Sequence, residues 1–284
     1  MAPRLVAPGS KAQQMLSETA VPATIAMPRN PFVTRAILGV QVAVSSYDEA
    51  IQQSLLWAKE REPGALFFAA VHMIMEAVDD PAFLPRLNAT GTVFPDGMPL
   101  VWALRMLGAS KAQRVYGPDF TVAMLAAAED AGVSVGFYGG SQAVLDTLVR
   151  VVRQRHPRLK LAYFESPPFR ALAPDEDAAV LDRIAASGTQ FLFVGLGCPK
   201  QERWIVEHTG KVPAVLFAVG AAFDFIAGSK RQAPRWMMRS GFEWLFRMAT
   251  EPRRLAMRYL KHNPRFVFLF LRQLLTRPAL DSPS

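Results

Sequence analysis

The segment 191–202, FLFVGLGCPKQE, has residue types that can hold a nucleotide or a phosphate group. An apolar run typical of a buried strand ends in two glycines, and a helical pattern then begins with Pro, Lys, Gln and Glu. Glycines let a backbone approach a ligand closely, and the free amides at a helix start favour anions. Tight packing between a strand and a helix is the alternative explanation. The candidate binding residues of this turn are Gly195, Gly197, Pro199, Lys200, Gln201 and Glu202.

A second glycine turn follows another apolar run, in the segment 136–141, GFYGGS. It supplies Gly139 and Gly140 as further candidates for nucleotide binding. Neither glycine turn is a complete G-x-G-x-x-G motif, so the indication of a dinucleotide site is weak.

Phe223 and Asp224 follow a third apolar run and complete the candidate binding residues. A carboxylate among aromatic side chains requires a partner, which Arg231 or backbone amides could provide.

Asp96 stands in the turn-rich sequence PDGMP, directly before a helical pattern at 100–107. An aspartate in such a position is usually a turn former or a helix cap. At the end of a strand it can instead act as a general base. The local sequence leaves both roles open.

The positive charge of the chain is concentrated towards its C-terminus. The net charge is +8, and residues 230–277 contain 12 Lys or Arg and two Glu, a local balance of +10. A basic segment of this kind suits phosphate groups, nucleic acid or an anionic membrane surface. Arg231, Arg247 and Arg254 are the candidates for binding a diphosphate, and a solvated pair of basic helices is the alternative.

The composition excludes several function classes. The single cysteine, Cys198, rules out an internal disulfide framework and suits a reducing compartment. The four histidines show no metal-ligand spacing, and the one Asp-x-Asp pair, Asp175 and Asp177, opens a polar helix, so we expect no metal and no cofactor. No stretch of the sequence reaches the ~18–20 apolar residues that span a bilayer, and residues 1–35 lack the apolar core of a signal peptide.

Short apolar runs alternate with helical patterns from about residue 36 onwards. Strands are predicted at 36–44, 65–71, 133–138, 159–164, 191–194 and 215–219. Helices are predicted at 47–61, 73–78, 100–107, 142–156, 174–186 and 199–208. This alternation predicts an α/β, Rossmann-like fold with a mostly parallel sheet and helices on both faces.

The strand patterns stop after residue 233, and basic helices are predicted at 236–249, 252–260 and 265–276. We therefore expect a disordered tail at 1–35, an α/β catalytic domain at 36–232 and a basic, amphipathic helical appendage at 233–284.

Several motifs, taken in order along the chain, resemble one family. They are Pro95-Asp96-Gly97, Gly117-Pro118-Asp119, Tyr138-Gly139-Gly140, Gly195-x-Gly197-x-Pro199-Lys200-Gln201-Glu202, Phe223-Asp224, Lys230-Arg231, Glu243-Trp244 and Glu251-Pro252. Together they resemble the WecG/TagA/CpsF glycosyltransferases, which build bacterial surface polysaccharides and teichoic acids. The segment PDGMPLVW is most similar to members that act in the assembly of xanthan-type exopolysaccharides. Ala70 departs from the pattern, because many relatives have Asn there.

The resemblance implies transfer of a sugar from a UDP-sugar to a polyprenyl-diphosphate-linked saccharide, with inversion and without an essential metal. Asp96 matches the family's proposed catalytic base. The basic appendage is then expected to contact an anionic membrane, which would place a cytoplasmic enzyme on the inner face of the cell membrane. Nucleic acid is not an expected partner, and a homo-oligomer is left open.

Two other functions compete with this interpretation. A Rossmann-like NAD(P)-dependent oxidoreductase would have the same sheet, but the full dinucleotide fingerprint is missing. A basic nucleic-acid-binding protein would explain the C-terminal charge, but not the glycine turns or the Asp96 segment.

Overall fold

A computed structural model of the chain describes residues 30–276, except for the side chains of Arg239 and Arg254. Most of the predicted tail, residues 1–29, lies outside the described residues, as do residues 277–284. The strands are β1 (Thr34–Ile37), β2 (Val40–Ala43), β3 (Gly64–Ala69), β4 (Thr92–Pro95), β5 (Ser134–Gly139), β6 (Lys160–Glu165), β7 (Phe191–Gly195) and β8 (Val215–Ala218). The helices are α1 (Tyr47–Glu60), α2 (Val71–Asp79), α3 (Phe83–Thr90), α4 (Met98–Met106), α5 (Gly117–Ala131), α6 (Gln142–Arg155), α7 (Pro174–Ala186), α8 (Lys200–His208), α9 (Ala222–Ile226), α10 (Arg235–Ser240), α11 (Glu243–Thr250) and α12 (Pro252–Thr276).

The eight strands form one sheet in the order β1-β2-β4-β3-β8-β7-β5-β6. β1 is antiparallel to β2, and the other neighbouring strands are parallel. The central strands β3, β7 and β8 are almost entirely buried, because helices cover both faces of the sheet. The predicted α/β fold with a mostly parallel sheet is confirmed.

Successive side chains of β3 point to opposite faces of the sheet and so belong to two separate cores. Phe67 packs in the core that includes Ile74 of α2 and Phe266 of α12, whereas Phe68 packs in the core that includes Phe120 of α5. Helix α5 was not among the predicted helices. It follows α4 and leads to β5, in the other half of the sheet.

The strand predicted at 36–44 is wrong in one respect, because this segment is a β-hairpin. β1 and β2 pair in antiparallel register, and the turn between them consists of Leu38 and Gly39, with φ angles of 50° and 89°. Leucine is uncommon in the left-handed region, so the sequence offers Gly39 alone as a turn signal.

A side chain of α12 fastens this hairpin. The Gln273 Oε1 atom accepts a hydrogen bond from the Leu38 amide at 2.8 Å, and Gln273 Nε2 donates to the Ala36 carbonyl at 2.7 Å. The two ends of the described chain therefore meet at the β1 edge of the sheet.

The region after residue 233 is helical, as predicted, but its last two predicted helices are one continuous helix, α12. Pro264 lies inside it on the exposed side and removes one intrahelical hydrogen bond. Leu255, Phe266 and Phe270 on the opposite side are buried, and their packing holds the helix together across the proline. The division into domains at residues 232 and 233 stays a prediction.

Candidate active site

The carboxyl ends of β3, β4, β5, β7 and β8 lie along one edge of the sheet, because these strands are parallel neighbours. A cavity of about 1280 Å³ opens at this edge, between the strand ends and side chains of α10, α11 and α12. Its lining includes the predicted residues Asp96, Gly140, Gly195, Gly197, Pro199, Lys200, Gln201, Glu202, Phe223, Asp224 and Arg247. Gly139 and Arg231 do not line it, and the predicted side chain of Arg254 lies outside the described part of the chain.

Asp96 follows β4 and forms an ion pair with Arg114, a residue that the sequence reasoning missed. The Nη2 atom of Arg114 lies 3.2 Å from Asp96 Oδ1 and 2.5 Å from Glu243 Oε2, so one nitrogen serves two carboxylates. The Nε atom of Arg114 donates to the main-chain carbonyl of Asp96, and Nη1 donates to the Met238 carbonyl at 3.3 Å. The side chains of Asp96, Arg114 and Glu243 are 20%, 15% and 13% exposed.

The environment of Asp96 raises its pKa above that of an ordinary aspartate. Burial raises the pKa of Asp96 to about 6, and the charge of Glu243 acts in the same direction. The charges of Arg114 and Arg247 oppose this rise without cancelling it. A general base is most effective when its pKa lies near the operating pH, so Asp96 suits proton abstraction better than an ordinary aspartate does.

The two predicted glycine turns meet at the ends of β5 and β7. The Gly140 amide donates to the Gly195 carbonyl at 3.0 Å, and a Cβ on Gly139 would lie 2.6 Å from the Gly195 carbonyl carbon. A Cβ on Gly195 would lie 2.6 Å from the ring of Phe223. Close packing therefore requires Gly139 and Gly195. Gly197 has a φ of 80° and open space around its Cβ position, which fits backbone exposed to a ligand.

Gln201 is buried and joins two loops of the cavity wall. Its Oε1 atom accepts hydrogen bonds from the amides of Gly197 and Gly220, each at 3.1 Å, and its Nε2 atom donates to Glu202 Oε1 at 2.9 Å. These contacts hold the loop after β7 against the loop after β8. Glu202 is also buried, which raises its pKa, and its Oε2 atom has no hydrogen-bond partner among the described residues.

Asp224 finds its partners in the residues immediately after Gly228. Lys230 Nζ lies 3.1 Å from Asp224 Oδ2, and the Ser229 hydroxyl donates to Oδ1 at 3.0 Å. The expected partner Arg231 is exposed instead. The φ angle of 74° at Gly228 turns the chain so that residues 229 and 230 face the carboxylate.

The described residues contain neither a metal-binding cluster nor a membrane-spanning helix. Within residues 30–276, no group of three or more His, Cys, Asp or Glu side chains is placed to hold a metal ion. No helix in that part of the chain is both long enough and apolar enough to cross a bilayer. The prediction that the reaction needs no cofactor remains to be tested.

An aspartate with a raised pKa, in a cavity at the carboxyl edge of a parallel sheet, is the arrangement of an α/β enzyme. The profile of the glycosyl transferase WecG/TagA/CpsF family matches residues 35–280. The chain belongs to this family and is a glycosyltransferase, as its motifs indicated.

Several curated relatives have the same name, N-acetylglucosaminyldiphosphoundecaprenol N-acetyl-beta-D-mannosaminyltransferase. The protein from Bacillus spizizenii is 29% identical over 180 residues, which are 63% of this chain and 68% of the relative. The protein from Bacillus subtilis is 27% identical over 62% of this chain and 67% of the relative. The protein from Staphylococcus aureus strain NCTC 8325 is 25% identical over 82% of this chain and 90% of the relative.

Proposed function

We propose that this glycosyltransferase moves a sugar from a UDP-sugar to a polyprenyl-diphosphate-linked saccharide, with inversion, in surface polysaccharide biosynthesis. The observation that carries the proposal is Asp96, an aspartate with a pKa near 6 on the wall of a cavity of about 1280 Å³. The relatives' shared name, which contains a diphosphoundecaprenol group, supports the acceptor class.

Asp96 is the general base in this proposal. Its carboxylate takes the proton from an acceptor hydroxyl as that oxygen attacks the anomeric carbon of the donor sugar. A new C–O bond forms on the face opposite UDP, while the bond to UDP breaks and UDP leaves with the electron pair. The single displacement inverts the anomeric centre, and the hydroxyl needs a base because it becomes acidic only as the bond forms.

The donor nucleotide lies over the glycine turns of β5 and β7. Gly140 and Gly197 line the cavity without side chains, so the phosphates or the ribose can approach the chain closely there, and Lys200 adds a positive charge at the rim. Gln201 acts here by fixing the shape of the wall, because its amide oxygen is already occupied by two backbone amides.

The departing diphosphate is neutralised by arginines in place of a metal ion. Arg247 lines the cavity and lowers the pKa of Asp96, which puts its charge in the reacting region. Arg231 and Arg254 are the other candidates. A guanidinium group can bind a phosphate through two hydrogen bonds. A metal ion in this place would need carboxylate ligands from the protein, and an arginine does not.

Helix α12 has a surface suited to a membrane interface. Six large apolar side chains are exposed along one side of it: Met257, Leu260, Val267, Phe268, Leu271 and Leu275. Four exposed basic residues lie on the same helix: Arg253, Lys261, Arg265, which is paired with Asp79, and Arg272. The apolar residues can enter the interface while the basic residues meet anionic lipid head groups, and the two attractions add.

This surface supports a peripheral enzyme on the inner face of the cell membrane. A lipid-linked acceptor stays in the bilayer, so a soluble domain that binds the membrane gains access to it at high local concentration. The nucleotide-sugar donor can then reach the cavity from the aqueous side.

A thermal-shift comparison of UDP, NADH and a short oligonucleotide at moderate salt tests the proposal. A ligand present at a hundred times its dissociation constant stabilises a protein by about 2.7 kcal/mol, which is readily detected. Stabilisation by UDP alone supports the proposal and leads to a panel of UDP-sugars with a polyprenyl-diphosphate acceptor. Stabilisation by NADH or the oligonucleotide, with UDP inert, contradicts it.

A further inference from the structure

Glu243 is the first residue of α11, and it reaches the base through Arg114. Asp96 and Glu243 are the two carboxylates within 4.0 Å of the Arg114 guanidinium among the described residues, and Glu243 is the nearer one. Both approach the same Nη2 atom. The remaining nitrogens of Arg114 donate to main-chain carbonyls of Asp96 and Met238. Every nitrogen of the guanidinium is therefore engaged, and the base shares its counter-charge with a residue from the C-terminal helices.

We infer that Glu243 is a positioning residue that divides the charge of Arg114 between two carboxylates and thereby makes Asp96 a stronger base. The inference rests on the proposed role of Asp96 in glycosyl transfer. It adds that the docking of α11 on the α/β domain sets the basicity of Asp96.

The physical reason is the competition for one guanidinium. An arginine paired with a single buried carboxylate lowers the basicity of that carboxylate strongly, because it stabilises the charged form. Glu243 draws Arg114 towards itself and brings a second negative charge close to Asp96. Both effects raise the proton affinity of Asp96. The titratable and charged groups that face Asp96 are Tyr47 of α1, Arg114 and Tyr116 of the segment before α5, and Glu243 and Arg247 of α11.

The fold explains how α11 comes to lie over the base. Gly241 precedes α11 with a φ of 82°, and a Cβ at this position would lie 2.8 Å from the ring of Trp102. Trp102 belongs to α4, the helix that begins two residues after Asp96. The glycine thus allows the start of α11 to rest on the helix next to the base, and Glu243 reaches Arg114 from there.

The pH dependence of kcat/KM tests this inference with the full chain. We expect Glu243→Gln to shift the acid limb of the profile to lower pH by roughly one unit, because a like charge next to Asp96 is lost. The plateau at high pH should fall by less than about tenfold, because a weaker base still abstracts the proton. Glu243→Gln keeps the shape of the side chain and should leave UDP binding unchanged.

Asp79→Asn is the matched control. Asp79 Oδ1 lies 2.5 Å from Arg265 Nη2, so this substitution also removes a carboxylate that ties the C-terminal helices to the α/β domain. Its acid limb should coincide with that of the wild type. An acid limb that stays in place in Glu243→Gln, or one that moves equally in Asp79→Asn, overturns the inference.

A second readout needs no turnover and separates this inference from the proposed function. The carboxyl carbon of Asp96 can be titrated by 13C NMR in aspartate-labelled protein, with Asp96→Asn providing the assignment. A lower midpoint in Glu243→Gln than in the wild type supports the inference even if the enzyme rejects every UDP-sugar. Equal midpoints refute it even if glycosyl transfer is confirmed.

Discussion

The raised pKa of Asp96 makes a quantitative prediction about pH. The carboxylate is the active form, so activity is retained above pH 6 and is lost as the pH falls through 6. With a pKa of about 6, roughly nine tenths of the side chains are ionised at pH 7 and roughly one tenth at pH 5. We expect kcat/KM to be about tenfold higher at pH 7 than at pH 5. An aspartate with its ordinary pKa of 3.8 would give nearly equal values.

The assay measures UDP release against time with a saturating lipid-linked acceptor, at pH values from 5 to 8. Asp96→Asn should lower turnover by roughly 10²–10⁴ and remove the acid limb, while UDP still stabilises the variant against heat. Asp130→Asn is the control, because Asp130 is an exposed residue paired with Arg158 on the surface. Near-normal turnover in Asp96→Asn, or equal wild-type activity at pH 5 and pH 7, would refute the assignment of the base.

Three further predictions concern the glycine turn, the membrane surface and the metal. Gly139→Ala should unfold at a lower temperature than Gly188→Ala and should bind UDP more weakly. The added Cβ at residue 139 would meet the backbone of β7, whereas a Cβ at residue 188 has open space. Equal melting temperatures of the two variants would contradict this expectation. Replacing both Phe268 and Leu271 by Asp should weaken sedimentation with anionic vesicles more than about tenfold, whereas Leu56→Asp on α1 should not, and unchanged sedimentation of the double variant would count against membrane docking. The enzyme should keep its full activity in excess EDTA. A strict requirement for Mn²⁺ or Mg²⁺ would contradict the metal-independent mechanism.

The position of the site could be predicted from the sequence, because it follows from local patterns and one rule of topology. The glycine turns each follow a predicted strand, and the ends of parallel strands meet at one edge. The strand before Asp96, β4, was not predicted, so the role of Asp96 rested on the family resemblance. The cavity contains Gly140 and Gly197, as that rule requires, and it contains Asp96 as well.

The partners of these residues could not be predicted, because they depend on tertiary packing. Arg114 and Glu243 are separated by 129 residues and meet because α11 folds back over the end of β4. The two bonds of Gln201 to loop amides likewise depend on how β7 and β8 are placed side by side. No periodicity or motif encodes such contacts, although an arginine three residues before the Gly117 motif was a signal that could have been followed.

The continuity of α12 escaped prediction for a related reason. Pro264 is a local signal for a helix end, because a proline inside a helix removes a hydrogen bond and destabilises the helix. The burial of Phe266 and Phe270 on the opposite side of the helix outweighs this destabilisation. Burial depends on the whole fold and not on the local sequence. Local rules failed here because long-range packing was stronger.

The bonds between Gln273 and the first hairpin have a consequence for how the protein is made. They join residues that are 235 and 237 positions apart, almost the full length of the described chain. During synthesis the hairpin is made before α12, so these two hydrogen bonds form only after the helix has left the ribosome. A chain released before α12 would lack these two hydrogen bonds to the β1–β2 hairpin. The fastening of this edge of the sheet is therefore a late event in the folding of the chain.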